Sequence, residues 1–165
     1  MSPSLILLMG VAGSGKTTLG RLLAARLGWT YYEADDFHSE ANKDKMSRGI
    51  PLDDSDRAPW LASIRAAMDA ALAAGRPAVF TCSALKARYR DVLLSGLGDR
   101  AGLVHLTGDS ALLLARLQGR AGHYMKPAML ESQLAALEPP ADALTLDVAL
   151  APTELVTEIR RHFSL

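Results

Sequence analysis

Short apolar runs bounded by glycine or proline alternate along this chain with longer stretches in which apolar residues recur every three or four positions. Leu5-Ile6-Leu7-Leu8-Met9 is a continuous apolar run closed by a turn signal, the pattern of a strand covered on both faces in a parallel sheet. From Gly15 onward Leu19, Leu22, Leu23 and Leu27 fall on one helical face, and Gly28 supplies a stop. Thr30-Tyr31-Tyr32 predicts a second strand, and 77–81, 103–106 and 144–148 predict three more. A helix is expected from near Asp56, which is the capping candidate. Pro59 falls in its first turn, Trp60, Leu61, Ile64, Met68, Ala71 and Leu72 form its apolar face, and Gly75 ends it. Further helices are predicted over 86–94, 112–118 and 128–137, with a last one carrying Leu155, Val156, Ile159 and Phe163. This alternation implies right-handed crossovers and a three-layer α/β fold with a doubly wound, five-stranded parallel sheet, whose ligands bind beyond the carboxyl ends of the strands.

Two segments stand outside the alternation. Residues 33–60 begin with a polar stretch rich in Asp and Lys and broken by Gly49 and Pro51, an excursion above the sheet where an acceptor could be held. Residues 119–127 contain two glycines and read as a lid. With 165 residues, 49% of them apolar and 22% charged, the whole chain 1–165 is expected to form one globular domain.

Charge narrows the partners. Lys plus Arg equals Asp plus Glu at 18 each, so no global field draws in nucleic acid or an anionic membrane, and a small molecule is the expected ligand. The lone cysteine, Cys82, has no disulfide partner within the chain, which suits a reducing cytoplasm. The apolar run near the N-terminus is too short for a membrane span or a signal peptide.

The run Gly10-Val11-Ala12-Gly13-Ser14-Gly15-Lys16-Thr17 matches G-x-x-x-x-G-K-[ST] directly after a predicted buried strand and at the opening of a helix. Glycines let several backbone N–H groups converge on phosphate oxygens, and the helix start, continuing through Thr18, adds partial positive charge. Lys16 is expected on the outer phosphates of ATP and Thr17 on Mg2+. The loop alone leaves a switch, a motor and a small-molecule kinase open. Asn42-Lys43-Asp44-Lys45 only approximates a guanine-reading element. A motor ATPase would end the third predicted strand with an Asp, yet that strand runs into Thr81-Cys82-Ser83.

Glu33 and Asp35, one residue apart at a strand end, point to one crevice if strand alternation continues through them. One could then serve magnesium and the other an acceptor hydroxyl; the alternative is a pair of solvated loop acids. Arg116 and Arg120 are four apart with no acid at helical spacing, and either flank a phosphate chain beneath the lid or line a solvated face. Arg57 is suited to bidentate capture of a substrate carboxylate, or is structural. His38 and His123 are ligands or ordinary loop residues, and Cys82 reads as a small buried residue.

Four separated blocks together resemble the gluconokinases among the nucleoside-monophosphate-kinase-like P-loop enzymes. They are Gly10 to Thr17; Ala34-Asp35-Asp36-Phe37-His38 continuing through Asn42, Lys45-Met46 and Gly49 to Leu61; Cys82-Ser83-Ala84-Leu85-Lys86 with Tyr89-Arg90-Asp91; and Arg120 to Met125 with Ser132-Gln133 and Leu137-Glu138. The resemblance implies ATP-dependent phosphorylation of D-gluconate at its 6-hydroxyl, with magnesium as cofactor, and commonly a homodimer. It implies that Lys16 and Thr17 serve nucleotide and metal, Asp35 the acceptor hydroxyl, and Arg57, Lys86 and Arg90 the acceptor's oxygens. His38 lies within the acceptor block as a further substrate contact, while Arg120 acts with His123 in the lid, Arg120 in catalysis as well. Two residues depart from the family pattern: Glu33 stands where Asp is frequent, which bears on its metal role, and Ser39 stands where Pro is usual, which predicts a looser loop. Shikimate kinase, another small-acid kinase, and a nucleotide switch without an acceptor are the alternatives.

Overall fold

The computed structural model describes residues 2–119 and 127–165. Five strands, β1 (Leu5–Met9), β2 (Thr30–Glu33), β3 (Ala78–Thr81), β4 (Ala101–Thr107) and β5 (Leu144–Asp147), pair in parallel in the order β2-β3-β1-β4-β5. The apolar run of β1 lies at the centre of the sheet, and strand alternation divides it between two cores. Ile6 and Leu8 pack towards α1 (Lys16–Leu27), α5 (Ser110–Gln118) and α7 (Pro152–Phe163). Leu5, Leu7 and Met9 pack towards α3 (Asp54–Ala73) and α4 (Ala87–Leu94). All five side chains are buried, each worth roughly 1.5–3 kcal/mol of stability. The expected three-layer α/β fold is therefore present, and the crevice over the carboxyl end of β1 is the natural ligand site.

α3 starts earlier than its sequence suggests. Asp53, not Asp56, is the N-cap: its carboxylate accepts from Asp56 N at 2.8 Å, while Asp56 reaches back to Asp53 N at 3.1 Å, completing a capping box. Pro59 consequently sits in the second turn, where it forgoes one helical hydrogen bond.

The excursion after β2 is ordered by a 3-10 turn over Ala34–Phe37 and by α2 (Glu40–Ser47). Ser39 does not loosen this segment; its hydroxyl caps α2 by accepting from Asn42 N at 3.1 Å. α6 (Pro127–Ala136) follows the segment read from sequence as a lid, whose residues 120–126 lie outside the described ones, and Arg120 and His123 with them. Among the described residues no helix is long and apolar enough to cross a membrane.

Candidate active site

The phosphate loop joins β1 to α1. Gly13 and Gly15 take φ of +81° and +85°, a region that side chains disfavour, and a Cβ on Gly13 would lie 2.9 Å from the Leu113 carbonyl oxygen. α1 has no side-chain cap, so its first amides and its partial positive charge are left for an anion. Lys16 Nζ arches back over the loop and donates to the carbonyls of Gly10 at 2.8 Å and Val11 at 3.2 Å. Ala12 N donates to Gln133 Oε1 at 2.7 Å, tying the loop to α6. Arg116 lies against the connection from β5 to α7, donating to the Val148 carbonyl at 2.6 Å. There it walls a cavity of about 340 Å³ that also takes in Gly13, Gly15 and Thr18.

At the end of β2 an acidic cluster meets the loop. Thr17 Oγ1 donates to Glu33 Oε2 at 2.8 Å, and the Tyr31 hydroxyl donates to the same oxygen. Burial, followed by the bond to Glu33, pushes the Tyr31 phenol up to about 12, so it remains a donor. Asp35 stands in the 3-10 turn and not on the strand, so the turn, and not strand alternation, brings its carboxyl near Glu33. Burial, then the Glu33 charge, raises the Asp35 carboxyl above its ordinary value, with His38 and Lys16 close enough to oppose the shift. A hydroxyl and two carboxylates are hard oxygen donors of the kind magnesium takes, with phosphates and waters completing its shell. Among the described residues no group of three or more His, Cys, Asp or Glu is placed to hold a metal by itself.

The acceptor side is built from side chains. His38 stacks on Trp60 with ring centroids 4.3 Å apart and planes 11° apart, and Trp60 Nε1 donates to the Ala34 carbonyl at 2.7 Å. Together they fix the turn that carries Asp35. Burial above all lowers the His38 pKa, keeping the ring neutral at physiological pH. Its Nδ1 lies 3.3 Å from Asn42 Nδ2, an arrangement in which Nδ1 accepts and Nε2 carries the proton. Asn42 also donates to the Asp56 carbonyl at 2.9 Å, and Lys45 Nζ meets both Asp56 carboxylate oxygens at 2.9 Å. The Asn42 to Lys45 segment is thus structural and reads no base.

Arg57 Nη1 donates to the Tyr89 hydroxyl at 3.1 Å, which in turn donates to Asp54 at 2.8 Å. The guanidinium lies over the Tyr89 ring at 5.6 Å, and only Nη1 is hydrogen-bonded among the described residues. Lys86 sits at the N-cap of α4, close enough to help lower the Asp54 carboxyl, a shift led by the Tyr89 bond.

Arg90 is buried, and its guanidinium donates to the carbonyls of Ala84 at 2.8 Å, Leu85 at 3.1 Å and Glu138 at 2.7 Å, which gives it a structural role at the start of α4. Ala84, at φ +47°, is the strained residue this clamp holds. Glu138 completes the clamp: its N–H donates to the Leu85 carbonyl and its carboxylate accepts from Ala87 N, both at 2.8 Å. Cys82 is buried, and burial pushes its thiol up to about 12, too high for a nucleophile. Sequence spacing gave no role to Tyr89 or Gln133, because their partners lie on other elements; Gln133 and Ala12 are 121 positions apart. It gave none to Tyr31 either, although Glu33, two positions on along the same strand, is its partner.

Comparison with known proteins places this geometry in a family. A family model described as an AAA domain matches residues 5–140. The probable gluconokinase of Mus musculus is 44% identical over 156 residues, 85% of each chain. The gluconokinase of Gluconobacter oxydans is 44% identical over 168 residues, covering 99% of this chain and 93% of that protein. The crystal structure of a gluconokinase from Sinorhizobium meliloti superposes with a TM-score of 0.84 at 39% identity, over 98% of this chain and 92% of that one. With a phosphate loop at the end of its central strand, and with relatives of this similarity along nearly its full length, the chain belongs to the gluconokinase family of P-loop kinases.

Proposed function

We propose that the enzyme transfers the terminal phosphoryl group of ATP to the 6-hydroxyl of D-gluconate, giving 6-phospho-D-gluconate and ADP. The observation that carries this reading is the position of Asp35, with Glu33 and Lys16 of the donor side and His38 of the acceptor side all close enough to shift its carboxyl. The loop amides and Lys16 hold the triphosphate, and the cavity beside Arg116 takes the rest of the nucleotide. A linear sugar acid has its carboxylate at one end and its C6 alcohol at the other. Arg57 binds the carboxylate, Lys86 and the Nε2–H of His38 bind hydroxyls, and Asp35 receives the C6 alcohol.

Asp35 orients that oxygen in line with the phosphorus and takes its proton as the O6–P bond forms and the bond to the ADP oxygen breaks. Its raised pKa makes it a better base than a solvated aspartate. Magnesium, held by Thr17 and the Glu33 carboxylate, supplies neutralisation of charge on the phosphates. Arg120 and His123 act from the lid, which excludes water. Cytoplasmic location and a homodimer are carried over from the single cysteine and from the family resemblance respectively.

A panel of sugar acids and shikimate, scored by ADP release, tests the assignment. Gluconate should be the preferred acceptor. Turnover of shikimate without gluconate would transfer the assignment to the shikimate kinases, and ADP release indifferent to any acid would make the protein a switch.

A further inference from the structure

Among P-loop enzymes that place the metal-side acid at the end of the strand beside the loop's own strand, that position belongs to a carboxylate. Here β3, one of the two strands beside β1, ends in the neutral Thr81. Glu33, in register with Thr81 on the next strand out, supplies the carboxylate instead. It meets Thr17, on α1, through a side chain with three rotatable bonds. Such a carboxylate needs a tether.

The tether is visible. Tyr31 donates to Glu33 Oε2, and its hydroxyl lies 2.9 Å from Thr81 Oγ1. An ionised Glu33 only accepts, so the one phenolic hydrogen goes to Glu33 and Thr81 must donate to Tyr31. Thr17 supplies the other donor to the same carboxylate oxygen, at 2.8 Å. The ring itself is wedged: a Cβ on Gly20 of α1 would stand 2.7 Å from Tyr31 Cε1 and 2.6 Å from Thr81 Cγ2, so α1 approaches the pair at a residue without a side chain. The Arg21 guanidinium closes the ring's face at 5.7 Å.

We infer that Tyr31, hydrogen-bonded to Thr81 and packed against Gly20, is a positioning residue that fixes the Glu33 carboxylate against the Thr17 hydroxyl and so sets the affinity for the divalent cation carried by ATP. Thr17 can then offer its oxygen lone pairs to the cation while its proton stays with Glu33. The inference rests on the reading that Thr17 and Glu33 serve magnesium-ATP.

The test uses Mn2+ as the probe and needs no acceptor: free Mn2+ is counted by electron paramagnetic resonance in the presence of enzyme and ATP. Tyr31→Phe keeps the ring and removes the hydroxyl. Its Mn2+ dissociation constant in the ATP complex should rise about tenfold, the loss of one bond to a charged group. Half-saturating Mg2+ for turnover should rise in parallel, with kcat at saturating Mg2+ within about twofold. In a Glu33→Ala background, adding Tyr31→Phe should change Mn2+ affinity no further. Unchanged Mn2+ affinity in Tyr31→Phe, even with a lowered Tm, would overturn the inference while leaving the metal reading in place. Additive losses in the double variant would do the same. Absence of ATP-dependent Mn2+ binding by the wild-type enzyme would overturn both. Thr81→Val provides a second approach to the tether, and a several-fold weaker Mn2+ affinity is expected there.

Discussion

The donor and acceptor sides of the crevice are made differently. The phosphate loop is one contiguous run, Gly10 to Thr17, whose glycines take positive φ that other residues disfavour and whose polar groups are largely backbone amides. The proposed acceptor side draws on Asp35, His38, Arg57 and Lys86, which come from the 3-10 turn, the entry to α2, the first turn of α3 and the cap of α4. Backbone recognition suits phosphate, which every nucleotide presents alike. Side-chain recognition suits the one acid the enzyme must choose. The acceptor side accordingly needs supports the donor side does not: Trp60 under His38, Tyr89 under Arg57, and the Arg90 clamp on Ala84.

Removing the group at the junction should have the largest effect. Asp35→Asn is expected to lower kcat by about 10²–10⁴ with little change in either KM, measured by steady-state kinetics. The same residue predicts a pH profile, because its carboxyl is held above the ordinary value of 3.8. Wild-type kcat/KM should fall as pH drops through that raised value. For stability the sign is the reverse: the advantage of a protonated Asp35 is complete below 3.8 and is lost as pH rises through the raised folded value. Asp35→Asn should therefore have the higher Tm at neutral pH, and the difference should close as pH falls; equal Tm at neutral pH would remove the argument from a raised Asp35 pKa.

Arg57→Ala sharpens the contrast between the two sides. It should raise KM for gluconate about 10- to 100-fold, the worth of a charged bidentate contact, and leave KM for ATP unchanged. An unchanged KM for gluconate would reduce Arg57 to a support for Tyr89. Gln133→Ala is the converse and the smallest: losing the acceptor for Ala12 N–H should raise KM for ATP about fivefold, one ordinary hydrogen bond, and spare gluconate. If gluconate weakened equally, α6 would have to serve both sides alike.

This contrast also explains what the sequence disclosed. The apolar run of β1 and the glycine spacing after it are local patterns with local causes, and they located the strand, the loop and α1. Glu33 and Asp35 were recognisable as neighbours at a strand end, but by strand alternation, whereas a helical turn brings Asp35 to the crevice. Asp53 and Asp56 are three apart and chemically alike, so only the observed bonds separate the cap from its reciprocal partner. Arg90 was grouped with substrate contacts because it lies in a family motif, and its hold on three carbonyls was invisible to that motif. No local pattern could reveal Gln133, because its partner is across the fold.

The account stands on transfer from ATP to the terminal alcohol of a sugar acid. Purified enzyme incubated with magnesium-ATP and gluconate, with the product examined by phosphorus-31 NMR coupled to proton assignment, measures it directly. A phosphate ester coupled to the two C6 protons, absent in Asp35→Asn over the same period, is the predicted result. ADP without any ester, or an ester on another carbon, would contradict it.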